Sequence, residues 1–153
     1  MSDSKIYQTG LRGMLAFANK LAKAKDKDEA LKMAAAEDDL ESVERLLREG
    51  AHINARKGAY RTTALMEASV QGNLAVMRFL IENGADVNLV DKDGWTALMG
   101  ATVEGRLESV KLLLELGAEV DAQNDEGQTA LVMATGTERA EIREALLEYG
   151  AEE

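Results

Sequence analysis

Apolar residues return at intervals of three and four along most of this chain, in short runs divided by glycine and acidic residues. Leu40, Val43, Leu46 and Leu47 form one such face, Leu74, Val76, Met77, Leu80 and Ile81 a second, and Leu107, Val110, Leu113 and Leu114 a third. That spacing predicts amphipathic helices, and Gly50 after the first of them suits the left-handed backbone that follows a helix C-terminus. Near the start, Leu11, Met14, Leu15, Ala18, Leu21 and Ala22 keep the helical spacing and Phe17 widens the face. Arg12, Lys20, Lys23 and Lys27 fall on the opposite side, which predicts a basic amphipathic helix.

The helical faces are copies of one another. A shift of 33 residues carries Thr96-Ala97-Leu98 onto Thr129-Ala130-Leu131 and, in the other direction, onto Thr63-Ala64-Leu65. Gly117-Ala118 lands on Gly84-Ala85 and Gly150-Ala151, while Gly50-Ala51 sits one residue further back. Thr63, Thr96 and Thr129 are placed to cap a first helix in each unit. Leu65, Leu98 and Leu131 follow, and the small Ala68, Ala101 and Ala134 let neighbouring helices approach. The chain divides into an N-terminal helix over residues 1–27 and repeats over 28–56, 57–90, 91–123 and 124–153. The first repeat is divergent: Asp26 or Asp28 caps it, Lys27 and Lys32 stand in it, and it lacks the Thr-x-Leu start. In the fourth, Arg143 replaces Val43, Met77 and Val110, and Ala140 replaces Leu40, Leu74 and Leu107. Such a polar change suits a terminal unit, so the array is expected to end here with no further repeat.

A period of 33 with a Thr-x-Leu start and a Gly-Ala end resembles the ankyrin repeat, whose signature is Thr-Pro-Leu-His followed by Ala. The resemblance covers residues 28 to 151. It implies an all-α solenoid of helix-turn-helix units with short β-hairpin or loop fingers, the N-terminal helix capping the first unit. Ala64, Ala97 and Ala130 stand where the family has Pro, a loss of rigidity more than of fold. Met66, Met99 and Val132 stand where it has His, so the polar staple between repeats is lost and packing must replace it. Glu67 and Gly100 occupy a position where Leu is usual. Gly within a helix costs about 1 kcal/mol against Ala, so amide exchange is expected to be faster over residues 97–104 than over 107–116.

Composition narrows the chemistry. With no Cys and a single His, His52, there is no disulfide, no thiolate nucleophile, and no His to activate Ser69 or Ser109. Asp91, Asp93, Asp121 and Asp125 do not make a calcium loop: with Gly94 sixth, Leu89 would be first and Gly100 twelfth. They are read instead as starting the turns between repeats. Gly94, Gly100 and Gly105 follow the repeat and not a phosphate-cradling turn. No enzyme activity, metal or cofactor is expected. Hydrophobic residues are 46% of the chain and no apolar run has the length of a membrane span, so the reading is of a cytoplasmic monomer. The formal net charge of −10 is unevenly spread: residues 1–27 hold six Lys/Arg against two Asp, and the remainder twelve against 26 acids. A body so acidic disfavours nucleic acid as a partner.

What the resemblance implies is protein binding through a concave face and the fingers. The family's variable contact positions fall on Lys92, Asp93, Trp95, Val103, Glu104 and Gln123 in the third repeat. In the fourth they fall on Asp125, Glu126, Gln128 and Thr137. In the second they fall on Val70, Gln71 and Val90, with Tyr60 and Thr62 beside one extra residue. Trp95 precedes its capping Thr outside the core period, and Trp is favoured at interface hot spots. With Tyr60, Val70, Val90 and Val103 it is expected to form an apolar strip bordered by Asp93, Glu104, Asp125 and Glu126. A protein partner with an apolar ridge and a basic rim suits that strip, as bound by an adaptor or by an inhibitor of the immunity or antitoxin kind. The alternative is a regulator tethered to anionic lipid by its basic helix, for which one Phe and no Trp make a weak anchor.

Overall fold

Each capping threonine starts its helix by the mechanism its position suggests. Thr63, Thr96 and Thr129 are extended, and their hydroxyls accept from the backbone N–H of Met66, Met99 and Val132 at 3.2, 3.2 and 3.3 Å. Asp26, and not Asp28, caps the first repeat, accepting from the N–H of Asp28 and Glu29. The computed structural model describes Gly10 and residues 13–19, 26–136 and 139–153. Helix α1 is described over 13–19. It is followed by α2 (Lys27–Ala36), α3 (Leu40–Arg48), α4 (Ala64–Gln71), α5 (Leu74–Glu82), α6 (Ala97–Val103), α7 (Leu107–Glu115), α8 (Ala130–Met133) and α9 (Ala140–Glu148).

The first helices α2, α4, α6 and α8 stack in one row and the second helices α3, α5, α7 and α9 in another. Packing is closer within the first row. Its buried alanines, Ala30, Ala34, Ala64, Ala68, Ala97, Ala101 and Ala130, allow that approach, whereas Leu46, Leu80, Leu113 and Leu146 fill the layer behind. A stack tighter on one side curves toward it, so the first helices line the inner face.

The fingers are loops, not paired strands. Each is closed across its base by a backbone bond, Lys57 N–H to Thr62 O, Asp91 N–H to Trp95 O and Asn124 N–H to Gln128 O, at 3.0, 2.9 and 3.0 Å, the first being an isolated antiparallel bridge. The extra residue of the second repeat is absorbed here, between Lys57 and Thr62, where Arg61 takes a left-handed φ of 56°. Asp91 shapes its finger as expected of a turn-starting acid, its Oδ1 accepting from the N–H of Asp93 and Trp95 at 2.9 Å each. Asn124 does the same for Glu126 and Gln128 in the next finger, whereas Asp121 accepts from Glu152. Backbone bonds join fingers, Lys92 N–H to Tyr60 O at 2.9 Å and Asp125 N–H to Asp93 O at 3.1 Å.

Two further ladders tie repeat to repeat. The residue before each later second helix reaches back to the open end of the preceding first helix. Asn73 Nδ2 donates to Ala35 O at 2.8 Å, Arg106 Nε to Val70 O at 2.9 Å, and Arg139 Nη2 to Val103 O at 2.6 Å. A cation at a helix C-terminus is favoured by the helix dipole as well as by the hydrogen bond. On the loops after the second helices, Asn54 accepts from Asp86 N–H at 2.8 Å and Asn88 from Glu119 N–H at 2.9 Å. In the first repeat Lys32 fills the position of Met66 and Met99, and its Nζ donates to Lys57 O at 2.9 Å across the repeat boundary. Lys57 in turn holds Asp26 through an ion pair of 2.8 Å, which lowers the Asp26 pKa and raises that of Lys57.

Met66 does more than pack: its sulfur accepts from the Thr63 N–H at 3.4 Å, a weak version of the polar closure that an apolar residue was expected to forfeit. Arg143 turns outward to Glu153 at 2.8 Å, where its equivalents Val43, Met77 and Val110 are fully buried. At the other end α1 is only partly covered. Phe17 packs against the core, but Met14 and Leu15 are 73% and 57% exposed. The surface facing them presents Glu37, Asp38, Asp39 and Glu41, which offers little apolar area to bury. Leu11, Arg12, Lys20, Leu21, Ala22 and Lys23 lie outside the described residues.

Ser109, facing inward on α7 where α5 has Val76 and α9 has Ile142, has a buried hydroxyl with no partner among the described residues. Leaving a buried hydroxyl unpaired costs about 1–3 kcal/mol. Ser109→Ala is therefore expected to raise stability by about 1 kcal/mol, read as a higher denaturation midpoint in urea at unchanged slope.

Candidate partner-binding site

Helices α4 and α6 and the third finger line a half-open recess of about 230 Å³ on the inner face, where several of the expected contact residues come together. Trp95, Val70 and Val103 form its apolar walls, with Met66 and Ala97 behind them. Glu67, Glu104 and Asp91 contribute carboxylates and Thr62 a hydroxyl. Trp95 is half-buried against the core, with its backbone N–H fixed by Asp91.

Gly100 makes room for Val70. The equivalent position on the other first helices is Met33, Glu67 and Met133, so the first and fourth repeats carry a methionine where the second and third do not. A Cβ at Gly100 would lie 2.8 Å from Val70 Cγ1, so the valine occupies the space a side chain would need. The residues that departed from the repeat pattern, Glu67 and Gly100, thus belong to the cavity. Their departure was visible in the sequence, but its meaning required knowing that Val70 faces Gly100 across the repeat boundary.

The charges are unequal in their freedom. Glu67 is engaged: Thr62 Oγ1 donates to it at 2.7 Å and Lys32 Nζ lies 3.9 Å away. Asp91 Oδ1 serves the finger. Glu104, exposed at the end of α6, has no ion pair or side-chain hydrogen bond among the described residues.

Other expected contact residues lie apart from the cavity. Tyr60 is 61% exposed at the second fingertip, with the Lys92 ammonium 4.4 Å above its ring. Asp93, Asp125 and Glu126 are exposed along the fingertips, and Gln128 accepts from Asn124 Nδ2 at 3.1 Å. Val90, Gln71 and Gln123 are exposed and line no part of the cavity. The strip is therefore divided into a tryptophan cavity and a separate tyrosine–lysine edge. Thr137 lies outside the described residues.

A two-row helical stack with capped first helices, looped fingers and a lined inner face is the architecture of a repeat protein built for recognition. Comparison with known families is specific: the model for ankyrin repeats (3 copies) matches residues 12–91, 31–124 and 88–153, and the chain belongs to the ankyrin-repeat family. Ankyrin repeats are in general protein–protein interaction modules and not catalysts. The chain is 42% identical over 69 residues to ankyrin repeat and KH domain-containing protein mask-1 of Caenorhabditis elegans, covering 45% of this chain and 3% of that protein. It is 46% identical over 66 residues to the mitochondrial disaggregase of Homo sapiens, 43% of this chain and 9% of that one. It is 37% identical over 66 residues to ankyrin repeat and SAM domain-containing protein 6 of Rattus norvegicus, 43% of this chain and 8% of that one. The matches thus span less than a tenth of those relatives, as shared repeats on different proteins would. No helix among the described residues is long and apolar enough to cross a membrane.

Proposed function

We propose that this chain is a non-enzymatic binding module of the cytoplasm that holds a protein with a basic surface on its inner face, as an adaptor or an inhibitor. The observation that carries the reading is the cavity at Trp95, an apolar recess with carboxylates at its edge on a strongly acidic body. A tryptophan in a recess supplies the large desolvated area typical of a hot spot, while the surrounding acids steer and orient the partner.

Affinity capture from the native lysate tests this with three baits: the wild type, Trp95→Ala, and a form lacking residues 1–27. The expected result is a protein held by the wild type and the truncated form but lost, by tenfold or more, with Trp95→Ala that retains its helical circular dichroism. Capture should also fall as salt rises, because exposed charges are screened beyond about 8 Å at physiological ionic strength. Loss with the truncated form alone would favour the second reading, tethering or docking by α1, to which the exposure of Met14 and Leu15 lends support.

A further inference from the structure

We infer that the cavity at Trp95 receives a single arginine side chain projecting from the protein partner, an inference that rests on the inner face being the binding surface. Size points to one side chain. At about 230 Å³ the recess falls below the roughly 300–1,000 Å³ of sites that enclose a whole small molecule. Its walls, Val70, Val103, Met66 and the Trp95 ring, are apolar, so the occupant must bring carbon atoms to the interior.

Charge points to a cation. The carboxylates at the cavity are Glu67, Glu104 and Asp91, and four basic groups around it are engaged, Arg139 by the carbonyls of Thr102 and Val103. Lys32 is held by the Lys57 carbonyl and Glu67, Arg106 by the Val70 carbonyl, and Lys92 sits over Tyr60. Glu104 is left as the acceptor without a partner among the described residues, at the mouth beside Val103. A neutral apolar side chain would fill the walls but leave that carboxylate unused.

Between the two long cations, the balance of wall to charge selects arginine. A lysine ammonium is compact and strongly hydrated, and it gives up its water reluctantly in a mostly apolar recess. A guanidinium is flat and weakly hydrated, stacks on an aromatic face, and presents a pair of N–H groups to one carboxylate. Trp95 supplies the face and Glu104 the carboxylate. Gly100 lets Val70 pack into the wall along which the aliphatic stem would lie, since a Cβ at that position would come 2.8 Å from Val70 Cγ1.

The test uses the full chain and three probes, the N-acetyl methylamides of arginine, lysine and citrulline, followed by two-dimensional NMR. The Trp95 indole N–H is unique in the spectrum because the chain has one Trp. Arginine is expected to give saturable shifts of that signal and of the Val70, Gly100 and Val103 amides. Its dissociation constant should be at least tenfold below that of citrulline, its neutral isostere, and several-fold below that of lysine. Glu104→Gln, on an exposed helix end, should weaken arginine at least threefold with the remaining spectrum unchanged. Equal binding of citrulline or lysine, or no saturable shift at Trp95, overturns the arginine assignment. Capture separates this from the broader reading: a partner lost with Trp95→Ala but held unchanged by Glu104→Gln overturns the assignment alone. A partner held unchanged by both variants overturns the inner face as well.

Discussion

Leu113→Ala is expected to lower the unfolding free energy by about 2–5 kcal/mol, the range for removing a buried leucine with partial collapse of the cavity. Leu113 has no exposed surface and stands on α7, which packs on α6 of its own repeat and on both α5 and α9. Truncating it removes buried volume from a helix on which both neighbouring repeats rest. In a linear array each unit is stabilised by its neighbours, so a defect in the third repeat also loosens the fourth. Urea unfolding followed by far-ultraviolet circular dichroism should show a much lower midpoint. Trp95 fluorescence should fall with it, because the single reporter sits in the damaged repeat. An unchanged midpoint would mean that the second-helix row contributes little to holding the stack together.

The second large effect is expected at the fingers. Gly94 is buried at φ +80°, and a Cβ there would lie 2.7 Å from Asp125 Oδ1, 2.8 Å from the Asp125 backbone nitrogen and 3.1 Å from the Asn124 Cα. The side-chain oxygen could rotate away, but the backbone atoms cannot move without breaking the Asp125 N–H to Asp93 bond between fingers. Gly127, the same position one repeat later, has φ +73° and nothing within 4 Å of its Cβ position. It provides the control for backbone strain alone. Gly127→Ala is expected to cost about 1–2 kcal/mol, the penalty of the left-handed conformation. Gly94→Ala should cost at least about 1 kcal/mol more, from the clash. Equal losses in denaturant midpoint would show that the fingers move apart freely and that their register is not set by this contact.

The repeat was legible because its determinants are local or periodic. The capping threonines, the alanines of the inner row and the leucines of the outer row recur at one spacing, and each keeps its place in the fold. The polar exchange at Arg143 was legible for the same reason, since a departure from a periodic core stands out against its equivalents Val43, Met77 and Val110. The expected loss of the polar staple held less well, because Lys32 restores a cross-repeat bond and the Met66 sulfur accepts one within its own turn. The ladder of Asn73, Arg106 and Arg139 escaped notice because its acceptors are main-chain carbonyls 36 to 38 residues earlier. Carbonyls carry no sequence signal. Of the candidate binding face, Thr62, Val70, Trp95, Val103 and Glu104 were legible by register, and the structure places those five around one recess. Glu67 and Gly100 were visible only as irregularities, and Val90 was grouped with the strip because its loop position cannot be assigned to a wall from sequence.

The chain's single tryptophan allows the central claim, that a protein partner seats on the inner face at Trp95, to be tested without altering the site by mutation. With 5-fluorotryptophan incorporated, Trp95 gives one fluorine resonance, unaffected by tryptophans on the partner. On titration with the captured partner, that resonance is expected to shift or broaden and then saturate at the stoichiometry of the complex. A complex that forms in full while the resonance keeps its position and width would contradict the account and place the binding surface elsewhere on the stack.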